Sequence, residues 1–178
     1  MRYRVDRLPS PIIPRPDSML NRLDRLLAVT LSLLASPAVS QSGPVVSEIM
    51  AANIVTLADE DGHSSDWIEI HNPTTNAIDV GGWFLTDDNT SPRKWSFPKP
   101  TSIGASGFLV VFASAKNRSV AGKQLHTNFS LKRGGEYVGL ADATGKLVSD
   151  LGAGYPRQYP DISYGLEFKP TLTTKKVY

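Results

Sequence analysis

Residues 125–132 read LHTNFSLK, and this stretch shows the clearest alternation in the chain. One face carries the more apolar set, which is Leu125, Thr127, Phe129 and Leu131. The other face carries His126, Asn128, Ser130 and Lys132. Successive side chains of a strand point to opposite sides of a sheet, so a period of two predicts a strand with one buried and one exposed face. His126 is therefore expected at the surface.

Further short apolar segments follow the same logic, separated by Gly, Pro, Asp and Asn. The predicted strands are Val45–Met50, Trp67–His71, Trp83–Thr86, Trp95–Phe97, Phe108–Ala113, Glu136–Ala141 and Lys146–Leu151. Phe108–Ala113 is apolar throughout, which is typical of a central strand buried on both faces. Many short strands without a helical period predict an all-β fold, specifically an antiparallel β-sandwich.

The three tryptophans are expected to pack in the core or at a sheet edge. Alternation places Trp67 on the face of Glu69 and His71, opposite Ile68 and Ile70. An aromatic platform for a sugar is the alternative interpretation of these side chains.

Residues 1–40 have the pattern of an export signal. Arg22 and Arg25 precede the apolar run Leu26–Ala35, and the small residues Ala38 and Ser40 fit a cleavage site before residue 41. We expect a helical signal peptide here, with Met19 as a candidate true start. A run this short cannot cross about 30 Å of hydrocarbon, so no transmembrane segment is expected after removal of the leader. A buried helix of the fold is the alternative.

Composition and charge exclude several classes of function. The 178 residues include no cysteine, which excludes a disulfide scaffold, a cysteine nucleophile and a thiolate metal site. Six Arg against three Asp give residues 1–40 a net charge of +3, whereas thirteen Lys and Arg against fourteen Asp and Glu give the remainder −1. A body this close to neutrality is not expected to bind nucleic acid specifically.

Acidic residues are densest at Asp59–Gly62, followed by Asp66. Carboxylate oxygens are the ligands that Ca²⁺ prefers, so Asp59, Asp61 and Asp66 are candidate calcium ligands, and His63 could join them. The EF-hand pattern fails, because alignment on Gly62 puts Leu57 and Ile68 at the first and last ligand positions. The alternative is a solvated turn.

Catalytic motifs are missing from the sequence. It holds no G-x-S-x-G elbow and no glycine-rich phosphate loop, and the adjacent pair Asp87-Asp88 has no partner that spacing can assign. We therefore predict that the chain is not an enzyme and holds no cofactor, calcium excepted.

Several segments, in this order, resemble the lamin tail domain family in its exported bacterial form. They are SEIMAAN (47–53), DEDG with DWIEIHNP (59–73), VGGWFLTDD (80–88), KWSFP (94–98), GFLVVFAS (107–114), LHTNFSL (125–131), GEYVGL (135–140) and VSDLG (148–152). The resemblance covers residues 44–165 and implies an immunoglobulin-like β-sandwich without a disulfide. Residues 166–178 are predicted to form an irregular tail, typical of a truncated or frame-disrupted end.

The resemblance and the leader together predict a secreted or cell-envelope protein. Its expected role is that of a non-catalytic interaction module that binds a protein or a cell-surface polymer. Two alternatives stay open. One is an accessory fragment of a secreted hydrolase or nuclease, and the other is a calcium-dependent carbohydrate or adhesion domain.

Overall fold

The computed structural model describes residues 43–168 and 173–177, and these residues form an all-β fold. The strands are β1 (Val45–Met50), β2 (Trp67–His71), β3 (Ile78–Asp79), β4 (Phe84–Thr86), β5 (Trp95–Ser96), β6 (Ser102–Ile103), β7 (Phe108–Phe112), β8 (Leu125–His126), β9 (Gly139–Ala141), β10 (Leu147–Asp150), β11 (Tyr164–Phe168) and β12 (Thr173–Val177). The predicted signal helix over 1–40 lies outside the described residues.

The strands assemble into two larger sheets and one short ribbon. The six-stranded sheet has the order β12-β11-β1-β2-β7-β8, the four-stranded sheet has the order β10-β9-β4-β5, and β3 pairs with β6. Within the described strands β7 and β8 run parallel, while the other paired strands are antiparallel. This architecture is consistent with an immunoglobulin-like sandwich, with one parallel pair that the sequence did not predict.

The core lies between the two larger sheets, as alternation along β2 requires. Ile68 and Ile70 are fully buried on the inner face, and the tryptophan that begins β2 lies on the outer face with Glu69. Leu85 and Leu140 contribute from the four-stranded sheet to the same buried cluster. Burial of apolar area is worth about 25 cal/mol per Å², so this interior supplies the main stabilising term.

The segment 125–132 is only partly the strand that its alternation predicts. The four inward side chains are buried as expected, but β8 ends at His126 and the next N–H, that of Thr127, donates to the Phe112 carbonyl. The expectation that His126 is exposed is wrong. Its ring is fully buried, and it stacks on Phe112 with 5.2 Å between ring centroids.

Other differences have local causes. Phe108 is 55% exposed and stacks on His71, so the predicted burial of both faces of 108–113 does not hold where β7 begins. The two-residue strands β3 and β6 are too short to show any period. The tail predicted to be irregular contains β12, whose backbone pairs antiparallel with β11.

One buried polar residue fixes the loop after β2. Asn72 is fully buried, and its Nδ2 donates to the carbonyls of Asn76, Ile103 and Gly104 at 2.8, 3.1 and 2.9 Å. Its Oδ1 accepts the N–H and the hydroxyl of Thr74 at 3.0 and 2.8 Å. A buried amide is stable only when it is bonded in this way, so Asn72 ties the loop to the end of β6.

No helix in the described part of the chain is long and apolar enough to cross a bilayer.

Candidate functional site

The acidic loop after β1 is folded around the carboxylate of Asp59. The Asp59 Oδ1 accepts the N–H groups of Asp61 at 3.0 Å and of His63 at 3.1 Å. The Oδ2 accepts the hydroxyl of Ser65 at 2.7 Å. Gly62 closes the turn with a φ of 78°, a conformation that costs glycine little. The Asp59 side chain is fully buried as a result.

The segment after β7 brings two cations to this loop. The Lys116 ammonium donates to Asp59 Oδ2 at 2.6 Å and to Asp61 Oδ2 at 2.7 Å. The Arg118 guanidinium lies 2.8 Å from both Glu60 Oε1 and Asp61 Oδ2. We call these five residues the charged cluster. Alternating ion pairs of this kind bridge two segments that are distant in sequence.

The cluster holds its members in their ionised forms. Burial raises the pKa of Asp59, but the bonds from Lys116, Ser65 and two backbone N–H groups outweigh it and leave that pKa well below its usual range. The bonds from Arg118 first and Lys116 second lower the pKa of Asp61 to about 2. Burial lowers the pKa of Lys116, but its bonds to both aspartates raise that pKa by more, so the net shift is upward.

His126 extends the cluster into the protein. Its Nε2 lies 2.8 Å from Glu60 Oε2, and its Nδ1 lies 2.8 Å from the hydroxyl of Ser114. Hydroxyl, imidazole and carboxylate thus follow in the order of a serine triad, but with the two ring nitrogens exchanged. The bond to His126 is the largest cause that lowers the pKa of Glu60. Both nitrogens of a buried imidazole are thereby satisfied.

The structure brings together two of the three predicted calcium ligands. One donor atom each of Asp59, Asp61 and His63 lies within 4.8 Å of the others. Asp66 is not in this group. Its Oδ1 accepts the backbone N–H of Asn53 at 3.0 Å, and burial raises its pKa. Lys116 already bonds both clustered aspartates, so calcium would have to displace the ammonium. The calcium site stays a prediction.

Sequence reasoning missed the cationic half of the cluster. Lys116 and Arg118 are two residues apart. The segment that carries them is not an extended strand, however, because Ala115 and Asn117 have φ values of 59° and 53°. Strand alternation therefore gave no signal that would place both side chains on one face. No spacing could have shown that this segment meets Glu60, because Arg118 and Glu60 are 58 residues apart.

A second feature lies beside the acidic loop. Four side chains that are large and exposed form what we call the apolar rim, namely Ile54 at 58%, Val55 at 78%, Tyr159 at 57% and Ile162 at 40% exposure. Asp161 joins the two loops that carry them. Its Oδ1 accepts the N–H groups of Ile54 and Val55 at 2.7 and 3.0 Å, and its own N–H donates to Ala52. These bonds join the backbones of the two loops that carry the rim.

Comparison with known proteins agrees with the fold. The family model for the Lamin Tail Domain matches residues 38–154, which is more than half of the chain. The curated proteins include no match. The match spans β1 to β10 and contains both the charged cluster and most of the strands of the two facing sheets. The chain belongs to the lamin tail domain family, whose immunoglobulin-like domains are generally non-catalytic interaction modules.

Proposed function

We propose that this chain is an exported, non-catalytic interaction module that binds a protein partner at the cell envelope through the apolar rim. The observation that carries the proposal is the exposure of Ile54 and Val55 on a loop that Asp161 holds in place. Isolated exposed apolar residues are ordinary, but neighbouring ones on joined loops mark an interaction surface.

The rim has the properties of a protein-binding surface. Tyr159 supplies an aromatic side chain, which is the type most enriched among residues that dominate binding energy. The bonds from Asp161 order the loop before any partner arrives, so less conformational entropy is lost on binding. The charges of the charged cluster pair with one another. Their electrostatic potential outside the protein is therefore small, and they contribute little to the attraction of a charged ligand.

Export rests on the leader-like residues 1–40. Expression of the full chain in its own cells, followed by fractionation and N-terminal sequencing, tests this part. Recovery in the envelope or medium with an N-terminus at Gln41 is expected. Retention of the whole chain in the cytoplasm would contradict export, but it would not bear on the binding proposal.

The binding proposal is tested with isolated cell envelopes and the purified chain. Saturable binding is expected, and Val55→Asp should weaken it at least about tenfold, since a buried charge in the contact costs more than 1.4 kcal/mol. Val120→Asp is the matched control, because Val120 is 61% exposed but lies outside the rim. Binding that survives Val55→Asp contradicts the rim as the contact.

Protease treatment of the envelopes separates the two classes of partner. Only the part of the binding that Val55→Asp removes is compared before and after digestion. Loss of this part after digestion supports a protein, and its persistence assigns the rim contact to an envelope polymer and overturns the protein partner.

A secreted hydrolase is the second candidate, favoured by the array of Ser114, His126 and Glu60. The hydroxyl and the imidazole are within hydrogen-bond distance, as an activated nucleophile requires. Turnover of ester substrates by the full chain, abolished in Ser114→Ala but not in Ser130→Ala, would establish this candidate. Turnover that is equal in both variants, or absent in the wild type, would remove it.

A further inference from the structure

A cavity of about 330 Å³ lies at the edge of the four-stranded sheet, and it shares no residue with the charged cluster or the apolar rim. Its walls include Thr86, Asn89, Pro92, Tyr137, Leu147 and Asp150. We call it the β10 cavity. Its volume is at the small end of the range of ligand-binding pockets, about 300–1,000 Å³.

Polar groups with spare hydrogen-bonding capacity converge on the β10 cavity. The Tyr137 hydroxyl reaches Asp150 Oδ2 only at 3.4 Å, a weak bond, while Oδ1 accepts the N–H of Gly152 at 2.9 Å. The side-chain amide of Asn89 makes no hydrogen bond to the described residues. Burial first and Asp150 second raise the pKa of Tyr137 to about 12, so its hydroxyl keeps its proton.

The remaining walls are apolar. Pro92 and Leu147 supply aliphatic surface, and Leu147 is 46% exposed. The ring of Tyr137 lies against Gly139, where an added Cβ would be 2.6 Å from the phenol oxygen. The absence of a side chain at Gly139 therefore leaves room for the phenol end of the Tyr137 ring. The cavity thus offers one carboxylate, one amide and one phenol beside apolar walls. These groups match a ligand that has hydroxyl groups around its edge and C–H groups on its flat face.

The loop that carries Asn89 is ordered without any ligand. Asp88 accepts the N–H of Thr90 at 2.9 Å, and the Thr86 hydroxyl lies 2.8 Å from the Ser91 carbonyl oxygen. Arg93 anchors the end of the loop, since its guanidinium donates to the Thr144 carbonyl. A wall that is already in place costs a ligand little ordering entropy.

We propose that the β10 cavity binds one neutral pyranose unit of a glycan, without a metal. The Asp150 carboxylate accepts sugar hydroxyls, the Asn89 amide both donates and accepts, and Pro92 and Leu147 pack on the C–H face. The negative charge of Asp150 disfavours phosphate and other anions. A peptide C-terminal carboxylate is disfavoured for the same reason.

The test is titration of the ¹⁵N-labelled full chain, observed by NMR, with glucose, galactose and the tetrasaccharides of cellulose, xylan and chitin. At least one of these probes is expected to bind saturably at millimolar concentration and to shift the amide signals of Asn89, Leu147 and Gly152. A free monosaccharide that binds as tightly as its tetrasaccharide identifies a single-sugar site. Tighter binding of the tetrasaccharide identifies a glycan chain as the natural source.

Variants decide whether the β10 cavity is responsible. Asn89→Ala should weaken the binding roughly tenfold, because it removes about one hydrogen bond and leaves a sugar hydroxyl without a partner. Tyr137→Phe keeps the ring and should weaken it by a smaller factor. Asn76→Ala is the matched control, because Asn76 is also exposed and lies outside the cavity. No saturable binding of any probe up to about 10 mM, or equal binding in Asn89→Ala and wild type, overturns the proposal.

Discussion

Replacement of Asp59 by asparagine tests whether the charged cluster holds the acidic loop in place. Asp59→Asn preserves size and leaves Oδ1 to accept the N–H groups of Asp61 and His63. It replaces Oδ2 by an amide nitrogen, which can accept neither the Lys116 ammonium nor the Ser65 hydroxyl. The variant thus removes two bonds and a charge and leaves the shape unchanged.

The expected loss follows from those two bonds. Hydrogen bonds to a charged group contribute about 1.5–3 kcal/mol each, and removal of one partner of a buried ion pair costs about 3–5 kcal/mol. Lys116 retains Asp61, which offsets part of this cost. We expect a loss of about 3 kcal/mol, a large share of a total stability of roughly 5–15 kcal/mol. The melting temperature should fall by about 10 °C.

The pH dependence of this loss has a definite sign. The pKa of Asp59 is lower in the folded protein than the value of about 3.9 in an unfolded chain. Its contribution is therefore fully present above about pH 4 and is lost as the pH falls toward the folded value. The stability gap between wild type and Asp59→Asn should be constant from about pH 7 to 5 and should narrow below about pH 4.

Urea unfolding at several pH values measures both effects. Asp79→Asn is the matched control, since Asp79 is exposed and its Oδ1 accepts one N–H, that of Gly81, which asparagine can also accept. The control should change stability by less than about 0.5 kcal/mol. A loss below about 1 kcal/mol in Asp59→Asn, or a gap that is unchanged at pH 3, would refute the reasoning.

Three further predictions concern other buried or charged groups. Asn72→Asp should destabilise the fold more than Asn72→Ala in thermal unfolding, because a carboxylate places an acceptor against three carbonyl oxygens, and equal losses would contradict the bonding described. Glu69→Gln should stabilise by roughly 0.5–1 kcal/mol at pH 7, since burial and then Glu48, its cross-strand neighbour, raise the pKa of Glu69. A raised carboxyl pKa means that ionisation opposes folding, so the gain should fade as the pH falls from the raised folded pKa toward the unfolded value of about 4.3, and a gain that persists below about pH 4 would argue against this cause. Millimolar calcium should raise the melting temperature more in Lys116→Met than in wild type, and no shift in either protein would remove the calcium site.

Local alternation was enough to predict the inner faces of the long strands. Ile68 and Ile70 point into the core, and Trp67 lies on the opposite face, as the period of two requires. The same period placed Phe129 and Leu131 inside, although the strand itself ends earlier. Side-chain direction depends on the local backbone, which sequence encodes directly, whereas strand length depends on a partner.

The candidate site was harder to predict because its parts are distant in sequence. Residue type alone predicts Asp59 and Asp61 as candidate ligands, because carboxylates clustered in a turn are typical of cation sites. Their neutralisation by Lys116 depends on how the chain returns after β7. Alternation places His126 at the surface for the same reason, because its ring stacks on Phe112 and bonds Glu60, which is 66 residues away. Alternation within one strand carries no information about such a partner.

The charged cluster and the apolar rim are two ends of one continuous hydrogen-bonded loop. The Ser65 hydroxyl bonds Asp59, and the Ser65 carbonyl accepts Asn53 Nδ2 at 2.8 Å. The Oδ1 of Asn53 in turn accepts the N–H and the hydroxyl of Thr56 at 3.1 and 2.8 Å. Between Asn53 and Thr56 the chain presents only Ile54 and Val55.

This connection predicts that the charged cluster supports binding at the rim. If ion pairs at Asp59 order the loop that carries the rim, then Asp59→Asn should weaken binding to the envelope partner as well as stability. The loss of affinity should exceed that of Asn72→Ala at equal destabilisation, because Asn72 orders a different loop. Equal affinity in the two variants would mean that the rim needs no support from the cluster. The ion pairs would then serve the fold alone.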